Sequence, residues 1–299
     1  MKQLKERLLT ALLRTVGSMP VWASYRLADL LFVLTYYVVR YRRRTVAENL
    51  AYAFPNRTAQ ERHRIERSSY RHLTDLLIEI IRSGFINKAE FRRRVTFRNL
   101  ELLEKVTNHY QQQALVLLIH QGNWEWMLHS AMAQLPLSVD PVYKKLHSQF
   151  WEDYMLSSRS RFGATPLALN RVAKEVIRGR DKKRLIVMLA DQAGPRKGGY
   201  WADFLNRPAS FYRGPEKLAE GFKFPVLFAQ CIKANPHEQR GHYEIVLHSL
   251  AIPAKDDTSG VKLLDQYIAT AERCIAEQPE TYLWTNRRWK KKPPVDLAI

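Results

Sequence analysis

Residues 114–125 read ALVLLIHQGNWE, and this stretch decides the fold. Six apolar residues, Ala114 to Ile119, are too few for a helix and suit a strand buried on both faces, as in a parallel sheet. Gly122 permits a tight turn. Asn123 can cap a helix, predicted from about Asn123 to Gln134. Working outward, Leu185 to Ala190 (LIVMLA) is a second fully apolar strand, ending at Asp191. Further strands are predicted at Val139–Tyr143, Pro225–Ile232 and Tyr243–Leu250, with a short one at Val95–Phe97. Helices are predicted at 59–83, 99–112, 148–161, 170–179 and 258–278. Buried strands alternating with helices predict an α/β fold, a mostly parallel central sheet flanked by helices.

Before the sheet, Leu8 to Val39 is strongly apolar but interrupted by Arg14, Arg26 and Asp29. Its densest part is Leu30 to Val39 (LLFVLTYYVV), shorter than the roughly eighteen uncharged residues that a transmembrane helix needs. No small-residue cleavage site marks it as a secretory signal. Pro20 divides the region at a plausible turn. Basic residues flank both ends, Lys2, Lys5 and Arg7 before and Arg40, Arg42, Arg43 and Arg44 after. The positive-inside rule keeps both flanks on one side, which a pair of interfacial helices satisfies and a single span does not. The expectation is apolar N-terminal helices over 1–44 attaching to a membrane, followed by a catalytic domain over 45–299.

The chain of 299 residues carries 48 Lys and Arg against 29 acidic residues, net +19. Such an excess favours a polyanionic partner: anionic lipid headgroups, an acidic carrier protein or nucleic acid. The hydrophobic fraction of 46% excludes whole-chain disorder. Two cysteines, Cys231 on a predicted strand and Cys274 on a predicted helix, have no metal-ligand or C-x-x-C spacing, so neither a metal nor a disulfide framework is expected.

In open α/β sheets, functional groups gather where strands end and helices begin. Here one strand ends at His120, with Glu125 in the first turn of the next helix. A histidine held by a carboxylate is the general-base arrangement, because the carboxylate fixes the tautomer and stabilises the imidazolium. No G-x-S-x-G elbow supplies a nucleophile, so the histidine is expected to activate a hydroxyl of the substrate itself. The helix N-terminus beyond it offers N–H groups to a phosphate or oxyanion. Against this stands the commoner fate of a histidine at a strand end, a satisfied polar residue. Arg159 and Arg161 read either as phosphate ligands or as a solvated basic face. Asp191 reads as a turn residue or as a group positioning an arginine or the substrate, and Arg213 opens a helix whose N-terminus could bind phosphate.

His120 to Glu125 resembles the H-x4-D/E motif of the late acyltransferases of lipid A biosynthesis, within the lysophospholipid acyltransferase superfamily. Val142-Tyr143-Lys144, Arg159 to Gly163, Asp191-Gln192, Phe204 to Ala209 (FLNRPA), Tyr282 to Trp284 and Arg287 to Lys290 resemble further motifs of that family, in order along about 45–293. Leu205 and Asn206 stand where Phe and Gly are frequent, Asn286 where His is, and Lys144 where Arg is. These departures leave the catalytic pair untouched and are expected at an acyl or headgroup pocket. The resemblance implies His120 and Glu125 as the catalytic pair. It leaves Gly122, Asn123, Lys144, Arg159, Arg161, Asp191, Gln192 and Arg213 as substrate-binding candidates. It also implies transfer from an acyl carrier protein thioester to a hydroxyl of a lipid A precursor, without cofactor or metal, at the cytoplasmic face of a bacterial inner membrane. Another membrane lipid, a lysophospholipid or aminolipid, is the alternative acceptor. A basic nucleic-acid-binding protein is the non-enzyme alternative; it explains the charge and the cluster WTNRRWKKK at 284–292 but not the apolar N-terminus.

Overall fold

The computed structural model describes residues 2–234, 240–250 and 262–294. Two helices open the chain, α1 (Lys2–Ser18) and α2 (Val21–Val33), with Pro20 at the junction where a turn was expected. Helix α2 runs on into a π-helical turn, Leu34–Val38. Both helices pack on a later helix, Ala59–Arg82, through Val16, Ala28 and Ile78. Helix α3 (Arg43–Ala53) follows. Helix α4 (Ala59–Arg82) starts with a capping box in which Thr58 and Glu61 satisfy each other's backbone N–H groups. Its inward face is unusually polar. Asp75, Glu79 and Arg82, spaced to share one face, are all buried and all bonded.

Helix α5 (Lys88–Arg94) leads into β1 (Val95–Phe97), then α6 (Leu100–Val106). The helix expected to reach residue 112 stops six residues early, because Asn108, His109 and Tyr110 turn left-handed in succession. The core of the sheet follows, β2 (Ala114–Leu118), α7 (Trp124–Gln134), β3 (Ser138–Tyr143), α8 (Gln149–Ser160), β4 (Leu167–Ala168), α9 (Val172–Arg178) and β5 (Arg184–Leu189), as expected except for the short β4. A separate hairpin, β6 (Tyr200–Phe204) and β7 (Arg207–Phe211), was not anticipated. Then come α10 (Gly214–Phe222), β8 (Val226–Lys233), β9 (Tyr243–Leu250) and α11 (Leu263–Glu277). Residues 258–261 of the last predicted helix lie outside the described residues.

The main sheet has the order β1-β9-β8-β2-β5-β3-β4 and is parallel except where β9 runs against β8. Strand β2 sits in the middle, and its alternating side chains enter two different cores. Leu115, Leu117 and Ile119 pack with α9, α10 and α11; Ala114, Val116 and Leu118 pack with α5, α6 and α7. The result is a three-layer α/β/α arrangement, with the C-terminal ends of β2 and β5 side by side. His120 and Asp191, each just past its strand, therefore meet.

Among the described residues no helix is long and apolar enough to cross a membrane. The N-terminal helices nonetheless leave a row of large apolar side chains exposed. Leu4, Leu8 and Leu12, four residues apart on α1, are 63%, 63% and 58% exposed, and Trp22, Val38 and Val39 are exposed as well.

Candidate active site

The turn after β2 is shaped by backbone demands. Gly122 has φ +62°, and a Cβ there would sit 2.3 Å from the Cys231 carbonyl oxygen, so no side chain fits. The buried His72 donates from Nε2 to the Gly122 carbonyl at 3.1 Å. Asn123 caps α7 by accepting from the Trp126 N–H at 2.9 Å, and its amide donates to Glu79 at 2.8 Å. Residues 281–283 run alongside the turn: the Leu283 N–H donates to the His120 carbonyl at 2.9 Å and the Gly122 N–H to Thr281 at 3.1 Å. This segment thus holds the turn at both His120 and Gly122.

The His120 ring is held by Asp191. Its Nδ1 lies 2.7 Å from Asp191 Oδ1, and its own backbone N–H donates to Asp191 Oδ2 at 3.2 Å. This corrects the expectation that Glu125 orients the ring. Glu125 is instead gripped by Arg159, whose Nε and Nη2 donate to its two carboxylate oxygens at 3.0 and 2.5 Å. The reason is geometric. The parallel pairing of β2 with β5 delivers Asp191 to His120 directly, whereas α8 carries Arg159 onto the first turn of α7.

The electrostatics follow from these contacts. Burial alone would depress the His120 imidazole, but the Asp191 carboxylate outweighs it, with Glu125 adding, and the ring sits above the ordinary histidine range. Burial pushes Asp191 and Glu125 up, and their cationic partners, His120 and Arg159 respectively, pull both below the usual carboxylate range. With Nδ1–H donating to Asp191, the basic lone pair lies on Nε2, where the Gln192 amide approaches to 3.3 Å.

Of the expected site residues, the structure brings together His120, Gly122, Asn123, Glu125, Arg159, Asp191 and Gln192. Arg161 is spent on the Ser83 and Ile86 carbonyls, at 3.0 and 2.6 Å, and anchors the end of α8. Arg213 is half-exposed at the start of α10 and pairs with Glu216 at 3.3 Å. Lys144 is exposed just past β3. Leu205 and Asn206 both have positive φ, 53° and 61°, and form the two-residue turn of the β6–β7 hairpin.

Trp124 was read only as part of a motif. Its ring stands edge-on to His120 with centroids 4.9 Å apart, and it borders two cavities. One, narrow at about 40 Å³, is walled by apolar side chains, among them Val116, Leu118, Met127, Leu128, Ile245 and Leu247. The other, of about 10 Å³, lies between α4 and residues 281–285 and includes Ser69, His72 and Leu76. A buried basic imidazole close to an apolar pocket can deprotonate a hydroxyl next to a bound hydrocarbon chain.

The chain matches the family described as bacterial lipid A biosynthesis acyltransferase over residues 3–291. It belongs to that family. The acyltransferase therefore works between an acyl donor and a lipid acceptor. No curated protein matches the acyltransferase significantly.

Proposed function

We propose that the acyltransferase moves a fatty acyl chain from an acyl carrier protein thioester to a hydroxyl of a lipid A precursor, with His120 as general base. The observation carrying this is the His120–Asp191 hydrogen bond, which leaves Nε2 as the basic atom, with the Trp124 ring between the imidazole and an apolar pocket. In this mechanism Nε2 takes the proton as the acceptor oxygen attacks the thioester carbonyl. The tetrahedral oxyanion is met by N–H groups at the start of α7. Collapse breaks the C–S bond, and the imidazolium returns the proton to the leaving thiolate. Asp191 holds the tautomer and stabilises the imidazolium throughout. The apolar cavity takes the acyl chain, and the Glu125–Arg159 pair fixes the first turn of α7 against α8. Lys144, Arg213 and the remaining surface charge serve phosphate on the acceptor and the acidic carrier.

The exposed row on α1, with Trp22, Val38 and Val39 and the exposed Arg40, Arg42 and Arg44, is the surface that enters an anionic bilayer from the cytoplasmic side of the inner membrane. A monotopic seat of this kind gives access to a lipid that never leaves the membrane.

Mass spectrometry of total lipids from cells with and without the gene tests the acceptor. Lipid A lacking one acyl chain in the deletion strain is the expected result. Intact lipid A with a change confined to glycerolipids or aminolipids would overturn the acceptor while leaving the chemistry. Competition between carrier-bound and coenzyme A-bound acyl groups, with purified protein, decides the donor.

A further inference from the structure

The polar face of α4 grips the turn after His120 at two consecutive residues. His72 and Glu79 are buried and lie about two helical turns apart, so they share that face. The His72 ring holds the Gly122 carbonyl at 3.1 Å, and the Glu79 carboxylate accepts from the Asn123 amide at 2.8 Å. Glu79 also reaches α7 through its backbone, whose carbonyl accepts the Trp126 indole N–H at 2.8 Å. Two further bonds to the carboxylate come from Tyr25 on α2, at 2.8 Å, and Tyr243 on β9, at 2.7 Å. The Asn123 amide thus meets opposite demands on its two sides. Its oxygen accepts from the Trp126 N–H at 2.9 Å and caps α7, while its nitrogen donates to Glu79. A carboxylate only accepts, so it selects this orientation. Turned over, the amide would set oxygen against oxygen and nitrogen against N–H.

We propose that Glu79 is a positioning residue for acyl transfer: by fixing the Asn123 amide it fixes the cap of α7, and with it the direction of the Trp124 and Glu125 N–H groups that meet the oxyanion. The inference deepens the reading of His120 as general base and rests on it. The path from Glu79 to the first turn of α7 is two short hydrogen bonds through one side chain, with nothing between them. Oxyanion donors are effective when they are already aimed at the place where charge develops. A cap that swings away lets the first turn of α7 shift, which weakens the transition state and leaves ground-state binding alone. The loss therefore falls on kcat rather than on KM. The alternative is a carboxylate that only ties α2, α4 and β9 together. That role lowers stability and leaves the kcat of the folded enzyme where it was.

The test exchanges donor and acceptor in the full-length purified enzyme, with acyl carrier protein charged with a saturated fatty acid and a phosphorylated lipid A precursor. N123D keeps an oxygen for the Trp126 N–H, and aspartate caps helices about as well as asparagine. It also sets a second carboxylate against Glu79, so kcat is expected to fall about tenfold with the acceptor KM within about twofold, less than the roughly 10²–10³ of losing an oxyanion donor outright. N123D/E79Q puts an amide opposite a carboxylate again, and the tyrosine hydroxyls can rotate to suit it. The double variant is expected to return kcat to within about fivefold of wild type, a comparison that stands even where N123D folds poorly. N123D with wild-type kcat, or a double variant that recovers nothing, would overturn the proposal. Y25F removes a bond from the other oxygen of the same carboxylate. It should lower the melting temperature and hold kcat within about twofold; a drop in kcat of about tenfold would return Glu79 to tying elements together. His120→Ala run alongside separates the two levels. If it stays active, the base assignment has failed; if it is inactive while the donor–acceptor exchange fails, only the role of Glu79 falls.

Discussion

Two buried arginines, one at each end of the parallel sheet, behave in opposite ways. Arg184, at the N-terminal end of β5, is 1% exposed and fully used: it donates to Gln113 at 3.0 Å, to Asp140 at 3.2 Å and to the Glu175 carbonyl at 2.9 Å. Arg288, at the C-terminal end, is as deeply buried and bonds to nothing described. Asp140 likewise gives its lone pairs to Arg184, Ser138 and the Thr165 N–H, while Asp191 gives both oxygens to His120. The N-terminal end spends its polar groups on holding strands together. The C-terminal end leaves part of its polar capacity open, which lowers stability and keeps a charged site primed.

The sharpest way to break this contrast is His120→Ala, expected to lower kcat/KM by about 10²–10⁴-fold with an unchanged melting temperature within a few degrees. Retained turnover would dissolve the distinction between the two ends. Next, Asp191→Asn should cost more than Glu125→Gln, by roughly tenfold or more, because an amide facing Nδ1 misplaces the tautomer whereas Glu125 touches the ring only through its field. The reverse order would restore Glu125 as the ring's partner. At the other end, Arg184→Met should destabilise the fold by about 3–5 kcal/mol in denaturant titration and leave kcat of the folded enzyme alone, since Asp140 is stranded. Titration gives a finer test. His120 is held above the ordinary histidine value of about 6.5, and the base must be neutral, so kcat/KM should rise with pH through a limb above that value. Glu125→Gln removes one of the charges raising it, and the limb should move down. The smallest effect concerns the surface. Leu8→Glu should weaken binding to anionic vesicles by about tenfold, since roughly 1.5–3 kcal/mol goes with each buried leucine. The remaining affinity should fall with salt. Undiminished sedimentation would mean that α1 faces away from the bilayer.

Much of the sheet was legible because β2 and β5 are uninterrupted apolar runs, and only a strand buried on both faces reads that way. His120 was legible for the same reason: it ends such a run. Its true partner was not, since Asp191 is 71 residues away and only strand pairing reveals the contact. A local carboxylate, Glu125, took that place on paper. The β6–β7 hairpin escaped because Leu205-Asn206 lacks the glycine that usually announces such a turn. Glu79 and Arg288 escaped for a different reason: a charged residue in a sequence looks solvated until its neighbours are known.

Glu79 carries a practical consequence. Its carboxylate receives the Tyr25 hydroxyl from α2 at 2.8 Å, the Tyr243 hydroxyl from β9 at 2.7 Å and the Asn123 amide at 2.8 Å. A chain shortened to begin after residue 44 would remove Tyr25, and with it Ser24 and the Met19 carbonyl that Arg82 needs. A buried acid and a buried guanidinium, one of them bonded to the helix cap beside His120, would each be left short of partners. Replacing the exposed leucines of α1 one at a time is therefore a cleaner probe of what that face touches than cutting the helices away.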